Sequence, residues 1–171
     1  MKNSKYLVWC SACLILFTVA SCKYSKEYKL VKAGDKFTMM IPSWVKEDPK
    51  LKPGAEFQYA NRFRNFYAIG ETVNKDSTKS VAAIMATNLG ILYKVTAKPL
   101  INDSTTVTIG GLNGARAEFS GKMDGEDIYF SEVVLEGKSR FYHLSIWTRN
   151  ADRKLKFKED IDKMLNSFKE Q

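Results

Sequence analysis

His143 is the single histidine of this 171-residue chain. Its neighbours alternate as in a strand, with Phe141, His143, Ser145 and Trp147 on one face and Tyr142, Leu144 and Ile146 on the other. A serine and a histidine on one face suggest hydrolysis. That chemistry needs the serine in a strained elbow facing an oxyanion hole, and no G-x-S-x-G occurs. Zinc sites generally take several His or Cys ligands, so none can be built here. We expect His143 to be a hydrogen-bonded sheet residue and rank a hydrolase using it third among the functional readings. Asp124-Gly125-Glu126-Asp127 groups three carboxylates that could hold a hard cation. It lacks the spacing of a calcium loop and sits where a hairpin needs Asp-Gly, so a turn is the simpler account. Gly110-Gly111-Leu112-Asn113-Gly114 joins strand to strand with no helix N-terminus after it, which also favours a turn over phosphate binding. Catalytic, cofactor-binding and metal residues are therefore set at none, and no cofactor is expected.

The other reactive residues lie at the N-terminus. Lys2 and Lys5 precede an apolar run from Tyr6 to Val19, 14 residues long. A permanent span needs about 20 residues for a core of roughly 30 Å, so this run reads as a cleaved export signal. Cys10 and Cys13 form a C-x-x-C inside it and would be removed with it. Val19-Ala20-Ser21-Cys22 follows at once and resembles the lipobox of bacterial lipoprotein precursors. The resemblance implies diacylglycerol on the Cys22 sulfur, cleavage just before it and usually a further N-acyl chain. Several chains, at about 0.8 kcal/mol per buried methylene, hold a domain on a membrane far better than one. The expected organisation is a signal peptide at 1–21, a lipidated tether at 22–35 and one domain at 36–171.

Without the leader, 25 basic residues face 19 acidic ones, a net charge of +6. The charge is spread along the chain, and its densest basic run, Lys23, Lys26, Lys29, Lys32 and Lys36, follows the anchor. A solvated tether or contact with lipid head groups explains that run better than nucleic acid does. Cys22 is the one cysteine left, so no disulfide is expected and stability must come from the core.

The elements follow from periodicity. Polar residues from Lys23 to Asp35 read as tether, with a first edge strand near Tyr28–Val31, and Phe37–Ile41 is a strand ended by Pro42. Trp44 should cover one end of the core, and Lys46–Gly54 is a surface loop. Glu56–Arg62 and Phe66–Val73 flank Arg64-Asn65 as a hairpin. Val81, Ile84, Met85, Leu89, Leu92 and Tyr93 recur at helical spacing from Ser80 to about Lys98, and Pro99 should stop that helix. Strands at Thr105–Ile109, Ala115–Lys122, Ile128–Leu135 and Arg140–Thr148 form a meander. Phe157, Ile161, Met164, Leu165 and Phe168 mark one face of a closing helix. The fold class is α+β with a largely antiparallel sheet.

This layout resembles the PsbP-like, or Mog1-like, fold, an antiparallel sheet sandwiched by helices. Phe37–Pro42 with Trp44, the central helix, the Gly-rich turn before Gly114-Ala115-Arg116-Ala117, the strand Phe141–Trp147 and the closing Ile161–Lys169 carry the likeness. The resemblance implies an accessory, binding or assembly role and supplies no site residue. Phe57, Tyr59, Phe63, Phe66 and Tyr67 should mostly be core. Any that stay exposed would be interface candidates, and Trp44, Phe63, Phe66, Tyr67 and Trp147 are the set expected there.

The leading expectation is a non-catalytic envelope lipoprotein that binds an envelope protein or assists assembly, with the membrane as second partner through Cys22 and no nucleic acid. A carrier of a small apolar ligand is the alternative. Lys23 after the cysteine, in place of an aspartate, favours the outer membrane facing the periplasm under the sorting rule of enteric lipoproteins.

Overall fold

The computed structural model describes residues 27–150 and 152–171. The leader, the Val19–Cys22 motif and the lysines at 23 and 26 lie outside the described residues.

Among the described residues ten strands and two α-helices follow in the order β1 (Tyr28–Ala33), β2 (Phe37–Pro42), β3 (Lys46–Glu47), β4 (Phe57–Asn61), β5 (Phe66–Asn74), α1 (Val81–Val95), β6 (Ala97–Ile109), β7 (Leu112–Met123), β8 (Glu126–Glu136), β9 (Arg140–Arg149), α2 (Asp152–Asn166) and β10 (Lys169–Glu170). Seven strands form one sheet in the order β3-β4-β5-β9-β8-β7-β6, and β1-β2-β10 form a second. Every pairing is antiparallel. The α+β class with a largely antiparallel sheet expected from the periodicity, and the sandwich that the resemblance implied, are the observed architecture.

Its layers follow from where apolar side chains alternate. Val133, Leu135, Tyr142, Leu144, Ile146, Phe66 and Ala68 point to one face of the large sheet, where they meet Phe37, Met39 and Ile41 of β2 and Phe157, Ile161, Met164, Leu165 and Phe168. The opposite face carries Ala117, Phe119, Phe130, Val134 and Phe141, and α1 lies on it through Met85, Ile84, Leu89 and Leu92. Central β8 and β9 are buried on both faces, so their sequences run nearly continuously apolar.

Caps and turns place the elements. The Ser80 hydroxyl accepts from Ala83 N–H at 3.1 Å and starts α1. Asp124 and Gly125 at φ 54° and 82° make the tight β7–β8 turn, which is the turn reading of that acidic stretch. Its carboxylates face cations: Asp127 bonds Lys122 at 2.8 Å, and Arg149 lies 3.7 Å from Asp124 and 3.6 Å from Glu126.

Three expectations need correction. The boundary at Asp35 moves: the edge strand expected near Tyr28–Val31 is β1, which runs to Ala33 and pairs along its whole length with β2, so the domain begins before Asp35. A strand starts at Ala97, well before Thr105, and Pro99 lies within it. An edge strand tolerates that proline, and its register shifts twice, between Ala97 and Leu100 and between Ile101 and Asp103. The expected loop after Trp44 contains the short β3.

Phe168 joins the layers: its ring lies 5.2 Å from Phe37 and 5.1 Å from Tyr142. Its carbonyl oxygen would lie 2.4 Å from a Cβ at Gly110, whose φ is +59°, so glycine is required there on both counts. Phe168→Ala should lower unfolding free energy by about 3–5 kcal/mol in a urea titration. A loss under about 1 kcal/mol would show that this ring does not join the sheets.

Candidate functional site

His143 sits 6% exposed on the face of β9 that α1 only partly covers. Two registers bring carboxylates to it. Glu71 of β5 is its direct cross-strand partner, and Glu132 of β8 is opposite Ser145, one diagonal step away. Glu132 Oε2 lies 2.6 Å from His143 Nε2, and Glu71 Oε2 lies 3.5 Å from His143 Nδ1. Lys52 completes the row with an ammonium 2.5 Å from Glu71 Oε2.

The electrostatics follow from this order. Burial opposes protonation of His143, but the hydrogen bonds to Glu132 and Glu71 outweigh it and push the pKa up from its ordinary 6.5 to about 9. The Glu71 carboxyl is brought down to about 2, first by its hydrogen bond to His143 and then, against the opposing effect of burial, by Lys52. The protonated imidazole is thereby favoured, with a carboxyl group facing each of its ring nitrogens.

A Ser-His-acid triad needs its histidine to accept the serine proton. Here the Ser145 hydroxyl donates to Glu132 Oε1, and both ring nitrogens of His143 face carboxylates. The expected sheet residue is what the geometry displays. Ser145 and His143 share a face as their alternation requires, while Glu132 and Glu71 escaped notice. Glu132 did leave a signal, because a carboxylate amid Tyr129-Phe130-Ser131 and Val133-Val134-Leu135 has to find a partner.

Beside this cluster a cleft of about 400 Å³ opens between β5 and α1, lined by Glu71, Val73, Lys79, Ile84, Asn88 and His143. The same sheet face continues through Ile69 and Ser145 to an aromatic step. Tyr67 and Trp147 are stacked at 5.2 Å, Trp147 is stacked on Phe130 at 5.4 Å, and Phe130 meets Phe119 at 6.2 Å. The inner two rings are buried beneath α1, whereas Tyr67 and Trp147 are half-buried beyond it.

The expected interface residues divide accordingly. Phe63 is 93% exposed on a short 3₁₀ turn, Arg62–Arg64, between β4 and β5. Tyr67 and Trp147 remain accessible. Trp44 packs against Phe66 and Phe157 at 5.2 and 5.4 Å, with the Arg64 guanidinium 4.7 Å over its ring, and so covers one end of the core. Phe66 is a correction: it is fully buried, because its position in β5 faces β2 and α2.

Removing one partner of the buried pair strands a charge, so His143→Ala should cost about 3 kcal/mol, and adding Glu132→Gln should recover part of it. The raised His143 pKa also gives a pH signature. Its stabilisation is complete below pH 6.5 and disappears as pH rises through about 9. The melting temperature should fall across that window, and His143→Gln should flatten the fall. An equal slope in both proteins would show that His143 is not the titrating group.

No family model and no curated protein matches the sequence. Solved structures do match. Cyanobacterial PsbP from Synechocystis superposes with a TM-score of 0.64 at 12% identity, over 90% of this chain and 99% of that one. The Ran-binding protein Mog1p of Saccharomyces cerevisiae gives 0.59 at 14%, over 84% and 95%. LpqN of Mycobacterium tuberculosis, involved in cell envelope biogenesis, gives 0.56 at 14%, over 85% and 91%. With superpositions that cover 84–90% of it, the chain has the PsbP/Mog1-like fold.

Proposed function

We propose that this chain is a membrane-anchored envelope lipoprotein whose domain binds another protein or assists its assembly and catalyses no reaction. The observation that carries the reading is the accessible aromatic step of Tyr67 and Trp147, with Phe63 fully offered at the nearby turn. Large rings left on a surface supply contact area at low entropic cost and are common anchors of protein interfaces. The same fold serves Ran binding in Mog1p and occurs in LpqN, a protein of envelope biogenesis, which supports a binding role and an envelope setting. The anchor rests on Val19-Ala20-Ser21-Cys22, and Lys23 after it favours the outer membrane facing the periplasm. His143 supports a non-catalytic reading because carboxylates occupy both of its nitrogens. Carriage of an apolar ligand is less favoured, since the cleft beside His143 is lined by Glu71, Thr72, Lys79 and Asn88 as well as apolar groups.

Two measurements test this. Intact-mass analysis of the native protein should find an acylated Cys22 at the N-terminus, and Cys22→Ser should move the protein out of the membrane fraction. An unmodified residue 22 or a retained leader refutes the anchor. Crosslinking in native membranes should capture a partner whose yield falls at least about tenfold in a Phe63→Ala, Trp147→Ala chain. Unchanged capture would refute the aromatic surface.

A further inference from the structure

A second accessible surface lies across α1 from the aromatic step, where the helix ends and β6 begins. Tyr93, Val95, Leu100 and Ile101 are each between 37% and 58% exposed there. Lys94 and Lys98 stand among them, exposed and without an ion-pair partner among the described residues. From Ser77 to Asn102 the sequence contains no Asp or Glu. Beside Leu100 opens a cleft of about 430 Å³ lined by Lys98, Lys122 and Lys154, together with Asn102, Tyr129 and the carboxylate of Asp127. Lys122 is paired with Asp127 at 2.8 Å, and Lys154 reaches Glu118 at 3.2 Å while lying 4.6 Å over the Tyr129 ring.

Exposed aliphatic side chains, a tyrosine at their border and unpaired ammonium groups beside them are what an anionic bilayer surface takes: apolar groups enter the acyl boundary, the phenol stays at head-group level, and lysines meet phosphates. A second copy of this chain would bring Lys94 and Lys98 against their own kind. A lipid surface neutralises them. The path of the chain agrees. Glu27 enters the fold bonded to Ser43 at 2.8 Å, beside Trp44, whose carbonyl accepts from Asn61 at 2.8 Å. That is the end of the large sheet where β5 starts and β9 stops, Arg149 N–H meeting Asn65 C=O at 3.2 Å. The antiparallel order puts the end of α1 and the start of β6 at the same end. Positions 22 and 27 are five steps of the chain apart, a reach of at most roughly 17 Å. Of the carboxylates at this end, Asp124, Glu126 and Asp127 are matched with Arg149 and Lys122.

We propose that the end of α1 and the start of β6, residues 93–101, form a docking surface for an anionic lipid bilayer, with a head-group phosphate held by Lys98 and its neighbours in the cleft beneath Leu100. This deepens the envelope reading but does not require acylation.

The test uses the chain from residue 22 onward with Cys22→Ser, which retains every strand and helix described above. It should float with vesicles of phosphatidylcholine and phosphatidylglycerol in equal parts and not with phosphatidylcholine alone, and added salt should release it. Lys94→Glu with Lys98→Glu should weaken flotation about tenfold, and Leu100→Ser with Ile101→Ser should abolish it. All four positions are exposed, so thermal unfolding should match the parent chain and a failed fold will be recognised. No flotation, or equal flotation by parent and variants, overturns the proposal. So does a concentration-dependent dimer in sedimentation that the same substitutions dissolve, which would identify a second copy as the occupant. Because Cys22 is replaced, an unmodified Cys22 in the native protein leaves this result unaffected.

Discussion

One helix cannot cover a seven-stranded sheet. At about 4.8 Å between strands the large sheet is more than 28 Å wide, whereas a helix with its side chains is about 10 Å across. On one face the deficit is met by α2 together with the three-stranded sheet, whose β2 brings Phe37, Met39 and Ile41 to the core. On the other face α1 is alone among the described residues. It seals the β7–β8 side through Met85 and Leu89 and leaves a strip along β9 and β5 open at its flank. The polar cluster, the aromatic step and the helix's own exposed side chains all result from this shortage of cover.

Within that strip the sheet buries a charge near its centre. Glu132 is 2% exposed, and a lone carboxylate there would be costly. Its two oxygens are served by His143 and Ser145, and Glu71 closes the far side of the imidazolium. Deleting one member of such a set does more harm than replacing the whole set with apolar groups, so its presence specifies register more than it adds stability. Slipping β9 by one residue against β8 would turn His143 and Ser145 to the other face and leave Glu132 without either.

Elements with a clean period were legible in the sequence. Phe157, Ile161, Met164 and Leu165 mark a helix face and are buried, while Phe168, expected on the same face, is buried two residues past the end of α2. His143 and Ser145 were legible as neighbours because strands alternate strictly. What escaped depended on which strands lie side by side: β5 meets β9 across an intervening helix and three strands, so Glu71 could not be linked to His143 from spacing alone. Phe66 and Phe63 are both aromatic residues near one turn, and only the direction of β5 buries the first and exposes the second. β1 is expected near Tyr28–Val31, but its lysines assign it to the tether: Lys29 and Lys32 are exposed on a strand that pairs fully with β2. The start of β6 was hidden by Pro99, which an outermost strand can hold because its far side needs no donor.

That irregular outermost strand has a further consequence. A long, straight, unpaired rim is a template on which copies of a protein can zip together, and the risk grows when molecules are held close to one another. At the other rim β3 is only two residues long. At this rim the two slips in register, Lys98 at φ 52° and Pro99 interrupt the ladder near its start. Neighbouring copies can therefore crowd together without polymerising through this stretch of backbone.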